Sequence, residues 1–384
     1  MNVSAPIVRG EVIKRMRVRS VAFFGTARAA YEDSRPLAID DIQPVPWAAR
    51  GARRFVEVTV VSLVNRTMQR RQFGTTGIEV SELGLGCARV GGIFQKGSGG
   101  FDELLSRAFD LGINFYDTAD MYCQGESEQL IGRAFRKRRS QVVIASKVGY
   151  VLPGQRKLVA RIKPLVRPLI RLLGLKRARL PAAVSGQLSQ NFEPAYVKRA
   201  VEASLRRLRT DYLDLLQLHS PPAEVVRRGQ WLRALQDLQR SGKIRFYGIS
   251  CDTLDAAQAA LEVPGVVSLQ VVVSLLEQRM AEALAGPARE RGIAIIAREC
   301  LANGLLAKPE AEIDYKSYCD SPAQEAERRA ALVEYRKTAT QTGKSLSSLA
   351  LQFAAGVDSV AVALVGASRT QQLETTVRAY LSGS

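Results

Sequence analysis

From residue 68 onward, short apolar runs typical of strands alternate with segments that have a helical period. The apolar runs are LGLGCARV, NFYDTAD, VVIASKVG, YLDLLQLHS, IRFYGISC, SLQVVVSLLEQ, AIIAREC and VAVALVGAS. In the segments between them, such as FDELLSRAFDLG and PAYVKRAVEASLRRL, apolar residues recur every three or four positions. Because parallel strands need a crossover connection that is usually a helix, this alternation predicts βαβ units and a parallel sheet.

Eight strand-helix pairs follow one another within 68–384, which predicts an α/β fold of the (β/α)8 TIM barrel type. The run RRQFGTTGIEVSELGLG places Gly-Thr-Thr-Gly between two extended segments, and this predicts an N-terminal β-hairpin before the first barrel strand. A doubly wound sheet is the alternative fold. It usually carries G-x-G-x-x-G after its first strand, and this chain has no such motif there.

Two insertions interrupt the regular pattern. Residues 151–192 follow the third strand, and residues of about 303–343 follow the seventh and include a further predicted helix, AQEAERRAALVEYRKTA. Because the βα loops form the catalytic face of a barrel, we expect both insertions to wall or cover the pocket. Residues 1–67 have no sustained period, so we interpret them as an N-terminal extension, either a disordered tail or an upstream extension of the true start. The barrel domain is then 68–384.

The formal net charge of +18 is concentrated in two peripheral segments. Residues 1–71 carry +7 and residues 151–192 carry +9, which leaves +2 for the rest of the chain. We interpret the basic insertion as a lid with a solvated basic face. Contact of 151–185 with an anionic membrane surface is the alternative. Nucleic acid is not expected as a partner, because no aromatic residues interleave these charges.

The cysteine and histidine content excludes several kinds of site. Five scattered cysteines without a C-x-x-C pair argue against a disulfide framework, and they fit a reducing cytoplasm. With a single histidine in the chain, a zinc centre is not expected, and we predict no metal site. No apolar run reaches the length of about 18 residues that a membrane-spanning helix requires.

Ionisable and polar residues cluster at the carboxyl ends of the predicted strands. Asp117 follows the second strand, Lys147 lies in the third, His219 ends the fourth and Ser250 ends the fifth, while Tyr122 lies in the loop after Asp117. Carboxyl ends of barrel strands form the catalytic face. The pattern therefore predicts that these side chains converge on an active site.

Several longer stretches together resemble the aldo-keto reductase family, over essentially all of 68–384. They are RRQFGTTGIEVSELGLGCARVGG, GINFYDTADMY, GESEQLIGRAF, VIASKVG, SLRRLRTDYLDLLQLH, GKIRFYGIS and the GLL of LANGLLAK. The resemblance implies reversible reduction of an aldehyde or ketone to an alcohol by hydride from a nicotinamide cofactor. It also implies that Tyr122, Lys147, Asp117 and His219 are the acting residues.

The chemistry explains this set of four residues. Hydride addition builds negative charge on the carbonyl oxygen, so an acid must donate a proton as the charge develops. Tyr122 is the implied acid. The ammonium of Lys147 should lower the pKa of that phenol, and Asp117 should keep Lys147 charged and in place. His219 should orient the carbonyl through a hydrogen bond, or share in proton donation.

The resemblance also implies cofactor-binding residues. Ser250 and Gln270 correspond to the residues that hold the nicotinamide amide, although Cys251 stands where the family commonly has Asn. Arg298 takes the place of an aromatic residue that stacks on the nicotinamide, and Gly86 ends the first strand beside the cofactor. The motif GASRTQQ after the last strand matches a phosphate-binding pattern; its residues are Gly366, Ser368, Arg369 and Gln372.

These features predict an NADPH-dependent carbonyl reductase, with NADH as the alternative cofactor and a small-molecule carbonyl compound as substrate. A non-enzymatic regulatory or sensor subunit that retains cofactor binding is the alternative function. The four acting residues favour the enzyme.

Overall fold

Eight parallel strands form a closed barrel, as the alternating pattern predicted, and this excludes the doubly wound sheet. The computed structural model describes residues 67–91, 99–151 and 189–382. Two predicted segments lie outside the described residues. They are the N-terminal extension, of which only Thr67 is described, and residues 152–188 of the basic insertion. The strands are β1 (Arg70–Gln72), β2 (Glu79–Ser81), β3 (Leu83–Gly86), β4 (Phe115–Asp117), β5 (Val143–Val148), β6 (Tyr150–Val151), β7 (Ser189–Gln190), β8 (Leu213–His219), β9 (Ile244–Ser250), β10 (Val266–Val272), β11 (Ala294–Arg298) and β12 (Val360–Gly366).

The barrel runs in the order β3, β4, β5, β8, β9, β10, β11 and β12, and β12 pairs back with β3. The helices surround it. They are α1 (Gly99–Asp110), α2 (Glu126–Ala134), α3 (Pro194–Leu208), α4 (Ala223–Arg228), α5 (Leu232–Arg240), α6 (Leu254–Leu261), α7 (Arg279–Glu290), α8 (Pro322–Gln341), α9 (Leu346–Gly356) and α10 (Thr370–Ser382). Among the described residues, no helix has the length and apolar character needed to cross a membrane.

The outer helices are held by apolar stripes at helical spacing. In α3, Val197, Val201, Leu205 and Leu208 are buried, and this spacing of four, four and three places them on one face of the helix. Burial of one such side chain stabilises the folded state by about 1.5–3 kcal/mol. Pro194 occupies the first turn of α3, where its missing N–H costs no helical hydrogen bond.

The predicted hairpin, β1 with β2, closes the amino-terminal end of the barrel. Its buried residues Phe73, Ile78 and Val80 pack in one apolar cluster with strand residues that include Phe115 and Leu215. Within each strand, alternate residues face the interior. The barrel interior next to the hairpin is therefore apolar, and polar side chains lie at the opposite end of the barrel.

The structure corrects one predicted helix. The run VVRRGQWLRALQDLQRSG follows the fourth strand, where the pairing of one helix with each strand predicts a single helix, but it contains two, α4 and α5. Gly229 ends α4 with a φ of 62°, in the left-handed region that glycine adopts at little cost. The extra helix predicted in the second insertion is present as α8.

Candidate active site

In seven of the eight barrel strands, the last inward-facing residue is one that the sequence analysis selected; in β10 the selected Gln270 is followed on the same face by Val272. Along β5, for example, Val143 and Ala145 lie in the apolar cluster that contains the hairpin residues, and Lys147 follows them on the same face. The strand registers place these end residues side by side, as in the pairs His219 with Ser250 and Gly366 with Gly86. The eight residues are Gly86, Asp117, Lys147, His219, Ser250, Gln270, Arg298 and Gly366.

A cleft of about 950 Å³ opens over this end of the barrel. Every predicted site residue except Lys147 lines it, including Tyr122, Ser368, Arg369 and Gln372. Asn303, Gly304 and Ala307 of the second insertion also line the cleft, so this insertion forms part of its wall as expected.

Lys147 lies beneath the cleft and is fully buried. Its Nζ donates to Asp117 Oδ2 at 2.6 Å, to the carbonyl of Thr118 at 3.1 Å and to Tyr122 Oη at 3.3 Å. All three donor positions of the ammonium therefore have a partner, which a buried charge requires. Lys147 joins Asp117 to Tyr122, the arrangement expected from the sequence.

Two glutamine side chains hold the other oxygen of the Asp117 carboxylate. Gln217 Nε2 donates to Asp117 Oδ1 at 3.3 Å, and Gln270 Nε2 donates to the same atom at 2.8 Å. Ser250 Oγ in turn donates to Gln270 Oε1 at 3.3 Å. A continuous network thus connects Asp117 with the two residues expected to hold the nicotinamide amide.

The pKa of Tyr122 differs from the sequence-based expectation. Burial raises it above its usual value, while Lys147 acts in the opposite direction, as expected, without outweighing burial. For Lys147, burial lowers the pKa, but the interactions with Asp117 and Tyr122 outweigh burial, so the pKa is raised. Lys147 therefore remains an ammonium, and Tyr122 remains protonated at neutral pH.

His219 is packed between two tyrosine rings. The ring centroid of Tyr122 lies 5.7 Å from that of His219, and the centroid of Tyr150 lies 4.8 Å from it, both nearly perpendicular. Burial, together with the nearby cations Lys147 and Arg298, lowers the pKa of His219 to about 2. The imidazole is therefore neutral near pH 7, so it can donate a hydrogen bond but does not act as an imidazolium acid.

The depressed pKa of His219 predicts a pH-dependent stability. Between about pH 2 and 6.5 the unfolded chain binds a proton at this histidine that the folded chain does not, so stability falls as the pH falls below about 6.5. His219→Gln removes this dependence. From pH 7 to pH 5, we expect the wild type to lose about 2 kcal/mol relative to the variant, measured by urea unfolding. Equal losses in both proteins would show that His219 titrates normally.

Arg298 is held in the cleft wall by acidic neighbours. Its Nη2 donates to Asp252 Oδ1 at 2.6 Å, and its Nη1 bonds Glu299. Its Nε is buried without a hydrogen-bond partner among the described residues. Cys251, where the family commonly has Asn, is buried in the core and does not line the cleft.

The far end of the cleft suits a phosphate group. Ser368, Arg369 and Gln372 line it where α10 begins, and backbone N–H groups at a helix start attract anions. Gln372 Oε1 accepts from the backbone N–H of Ser368 at 3.1 Å, which orders this turn. Within the described ranges, Arg369 forms no ion pair, so its charge is available to a ligand.

Two glycines at adjacent strand ends leave room for a flat ligand. A Cβ added at Gly366 would meet no atom within 4 Å, and one at Gly86 would approach only Val365 O at 3.6 Å and Leu364 Cβ at 4.0 Å. With the Ser250–Gln270 pair at one end and the helix start of α10 at the other, these residues fit an extended dinucleotide. No group of acidic, histidine or cysteine residues in the described ranges could hold a metal ion.

A model described as the aldo/keto reductase family matches residues 82–382. The chain belongs to the aldo/keto reductase family. This aldo/keto reductase is 31% identical to the uncharacterized oxidoreductase YqkF of Bacillus subtilis over 322 residues, which cover 81% of this chain and 91% of that protein. It is 26% identical to pyridoxal 4-dehydrogenase of Microbacterium luteolum over 332 residues, which cover 81% of this chain and 93% of that protein.

A solved structure is similar over most of the chain as well. The holo form of aldo-keto reductase AKR11C1 from Bacillus halodurans is 30% identical and has a TM-score of 0.62; the match covers 81% of this chain and 90% of that one. Family and relatives together establish that this aldo/keto reductase is an NAD(P)H-dependent oxidoreductase.

The residues around the site that were not selected from the sequence include Gln217, Tyr150 and Gln190. Gln217 lies two positions before His219, so strand alternation alone could have placed it inside the barrel. Tyr150 and Gln190 belong to the short ribbon that β6 and β7 form at the base of the basic insertion. No sequence signal indicated that pairing.

Proposed function

We propose that this protein reduces a small aldehyde or ketone to an alcohol with NADPH, and that Tyr122 is the general acid. The observation that carries the proposal is the chain of contacts from Asp117 through Lys147 to Tyr122, at the base of a cleft that Tyr122 and His219 line. Membership of the family supports the same reaction class.

NADPH, when bound, would supply the hydride for the carbonyl carbon. Ser250 and Gln270 would hold the amide of the nicotinamide. The neutral imidazole of His219 donates a hydrogen bond to the carbonyl oxygen and orients it. The Tyr122 hydroxyl transfers its proton to that oxygen, and Lys147 stabilises the phenolate left behind. Tyr122 then recovers a proton from solvent, so one hydride and one proton complete the alcohol.

The direct test is oxidation of NADPH by the purified full-length chain in the presence of a panel of small aldehydes and ketones. We expect loss of the nicotinamide absorbance with at least one member of the panel and one alcohol formed per NADPH consumed. Tight NADPH binding without turnover across the panel would contradict the proposal and support a sensor role.

Arg369 is proposed to distinguish NADPH from NADH. Because its guanidinium has no ionic partner among the described residues, Arg369→Ala should weaken NADPH binding by about tenfold, which corresponds to about 1.4 kcal/mol. The Kd for NADH should change by less than twofold, since NADH lacks the additional phosphate. Fluorescence titration with both cofactors measures this. Equal weakening of both would place Arg369 at the shared part of the cofactor instead.

A further inference from the structure

The backbone after His219 forms an unusual turn. Ser220 has a φ of 52°, in the left-handed region that costs a residue with a Cβ about 1 kcal/mol. The ladder between β8 and β9 ends at the pair His219–Ser250. Pro221 and Pro222 come next, and proline has no N–H to donate. The carbonyls of His219 and Ser220 therefore need a donor from elsewhere in the chain.

Gln190 is that donor for both carbonyls. Its Nε2 lies 3.1 Å from the oxygen of His219 and 2.9 Å from the oxygen of Ser220. Gln190 belongs to β7, and its partner in the ribbon is Tyr150 of β6. We name this ribbon, residues 150–151 with 189–190, the insertion stem. The insertion stem thus holds the main chain that carries His219.

The insertion stem also holds the histidine ring. His219 Nδ1 is buried and has no hydrogen-bond partner among the described residues, so no such bond fixes the ring from that side. The ring is instead packed by Tyr122 and, more closely, by Tyr150 at 4.8 Å between centroids. Tyr150 is itself anchored, because its carbonyl accepts a hydrogen bond from Tyr196 Oη at 3.1 Å.

We propose that Gln190 and Tyr150 are positioning residues for His219, so that the insertion stem is part of the catalytic machinery. Gln190 fixes the main chain at the strand end, and Tyr150 fixes the orientation of the imidazole. The inference rests on the proposed role of His219 as hydrogen-bond donor to the carbonyl oxygen. A misplacement of about 1 Å in an active site can cost roughly 100-fold in rate, so loss of either support should lower kcat.

Gln190→Met tests the main-chain support, because methionine keeps the length of the side chain and removes the donor. We expect kcat to fall at least tenfold, with the Kd of NADPH close to that of the wild type. The Tm should fall by only a few degrees, because two backbone acceptors lose their donor. Tyr150→Leu should produce a similar fall in kcat. In a His219→Ala background, Gln190→Met should lower kcat by less than twofold, because its effect acts through the histidine.

Gln239→Met is the matched control. Gln239 also donates from Nε2 to a backbone carbonyl, that of Arg245 at 2.7 Å, but it does not line the cleft. This variant should retain the wild-type kcat. An unchanged kcat in Gln190→Met, or the same fall with and without His219, would overturn the inference. In either case aldehyde reduction by the wild type would leave the proposed function standing.

Discussion

Replacing Tyr122 with phenylalanine is expected to lower kcat for aldehyde reduction by about 10³-fold, since general acid catalysis contributes roughly 10²–10⁴-fold. The phenyl ring can keep its packing against His219 and its contact with Lys147, whose Nζ lies 5.0 Å from the ring centroid. The substitution removes the proton donor and the hydrogen bond that Lys147 Nζ donates to Tyr122 Oη. Steady-state rates measured with saturating NADPH and a reactive aldehyde check this expectation.

Cofactor binding separates this effect from a structural one. The Kd of NADPH should change by less than twofold in Tyr122→Phe, because the hydroxyl is proposed to contact the carbonyl substrate. Tyr247→Phe is a control for removal of a buried phenol elsewhere; its Oη bonds the carbonyl of Pro264, and it does not line the cleft. A Tyr122→Phe enzyme with more than a tenth of the wild-type kcat would exclude Tyr122 as the acid.

The barrel, and the ionisable residues at the carboxyl ends of its strands, could be predicted because both depend on local periodicity. The roles of those residues were implied by the family resemblance. Apolar alternation along each strand determines which residues face inward, and a charged residue such as Lys147 in a buried strand has few stable positions without a counter-charge. The same rule applied to LDLLQLH would have selected Gln217 beside His219. It was missed because an uncharged amide gives a weaker signal than a charge.

Other features depend on contacts between residues far apart in the chain. Tyr150 and Gln190 are brought together only by the ribbon at the base of the insertion, and neither lies in a periodic segment. The pKa of Tyr122 is a similar case. The sequence indicated how Lys147 would act on it, but the larger influence is burial, which depends on how the loops pack over the barrel.

Lys147→Met is expected to have the largest combined effect on stability and activity, because it removes a buried cation from beside a buried carboxylate. Asp117 is 4% exposed and would lose the cation with which it pairs. Breaking a buried ion pair in this way costs about 3–5 kcal/mol of folding free energy. Activity should fall more than 10³-fold, since Tyr122 would lose both the charge and the hydrogen bond of Lys147, each of which lowers its pKa. Urea unfolding and single-turnover rates measure the two effects.

A second substitution separates stability from catalysis. In Lys147→Met with Asp117→Asn, the unpaired charge is removed, and the amide oxygen of Asn can still accept from Gln217 and Gln270. We expect most of the lost stability to return, because replacing both partners of a buried pair is far less costly than removing one. Activity should remain at the level of the single variant. Recovery of activity together with stability would show that Lys147 serves folding alone and that the acidity of Tyr122 does not depend on it.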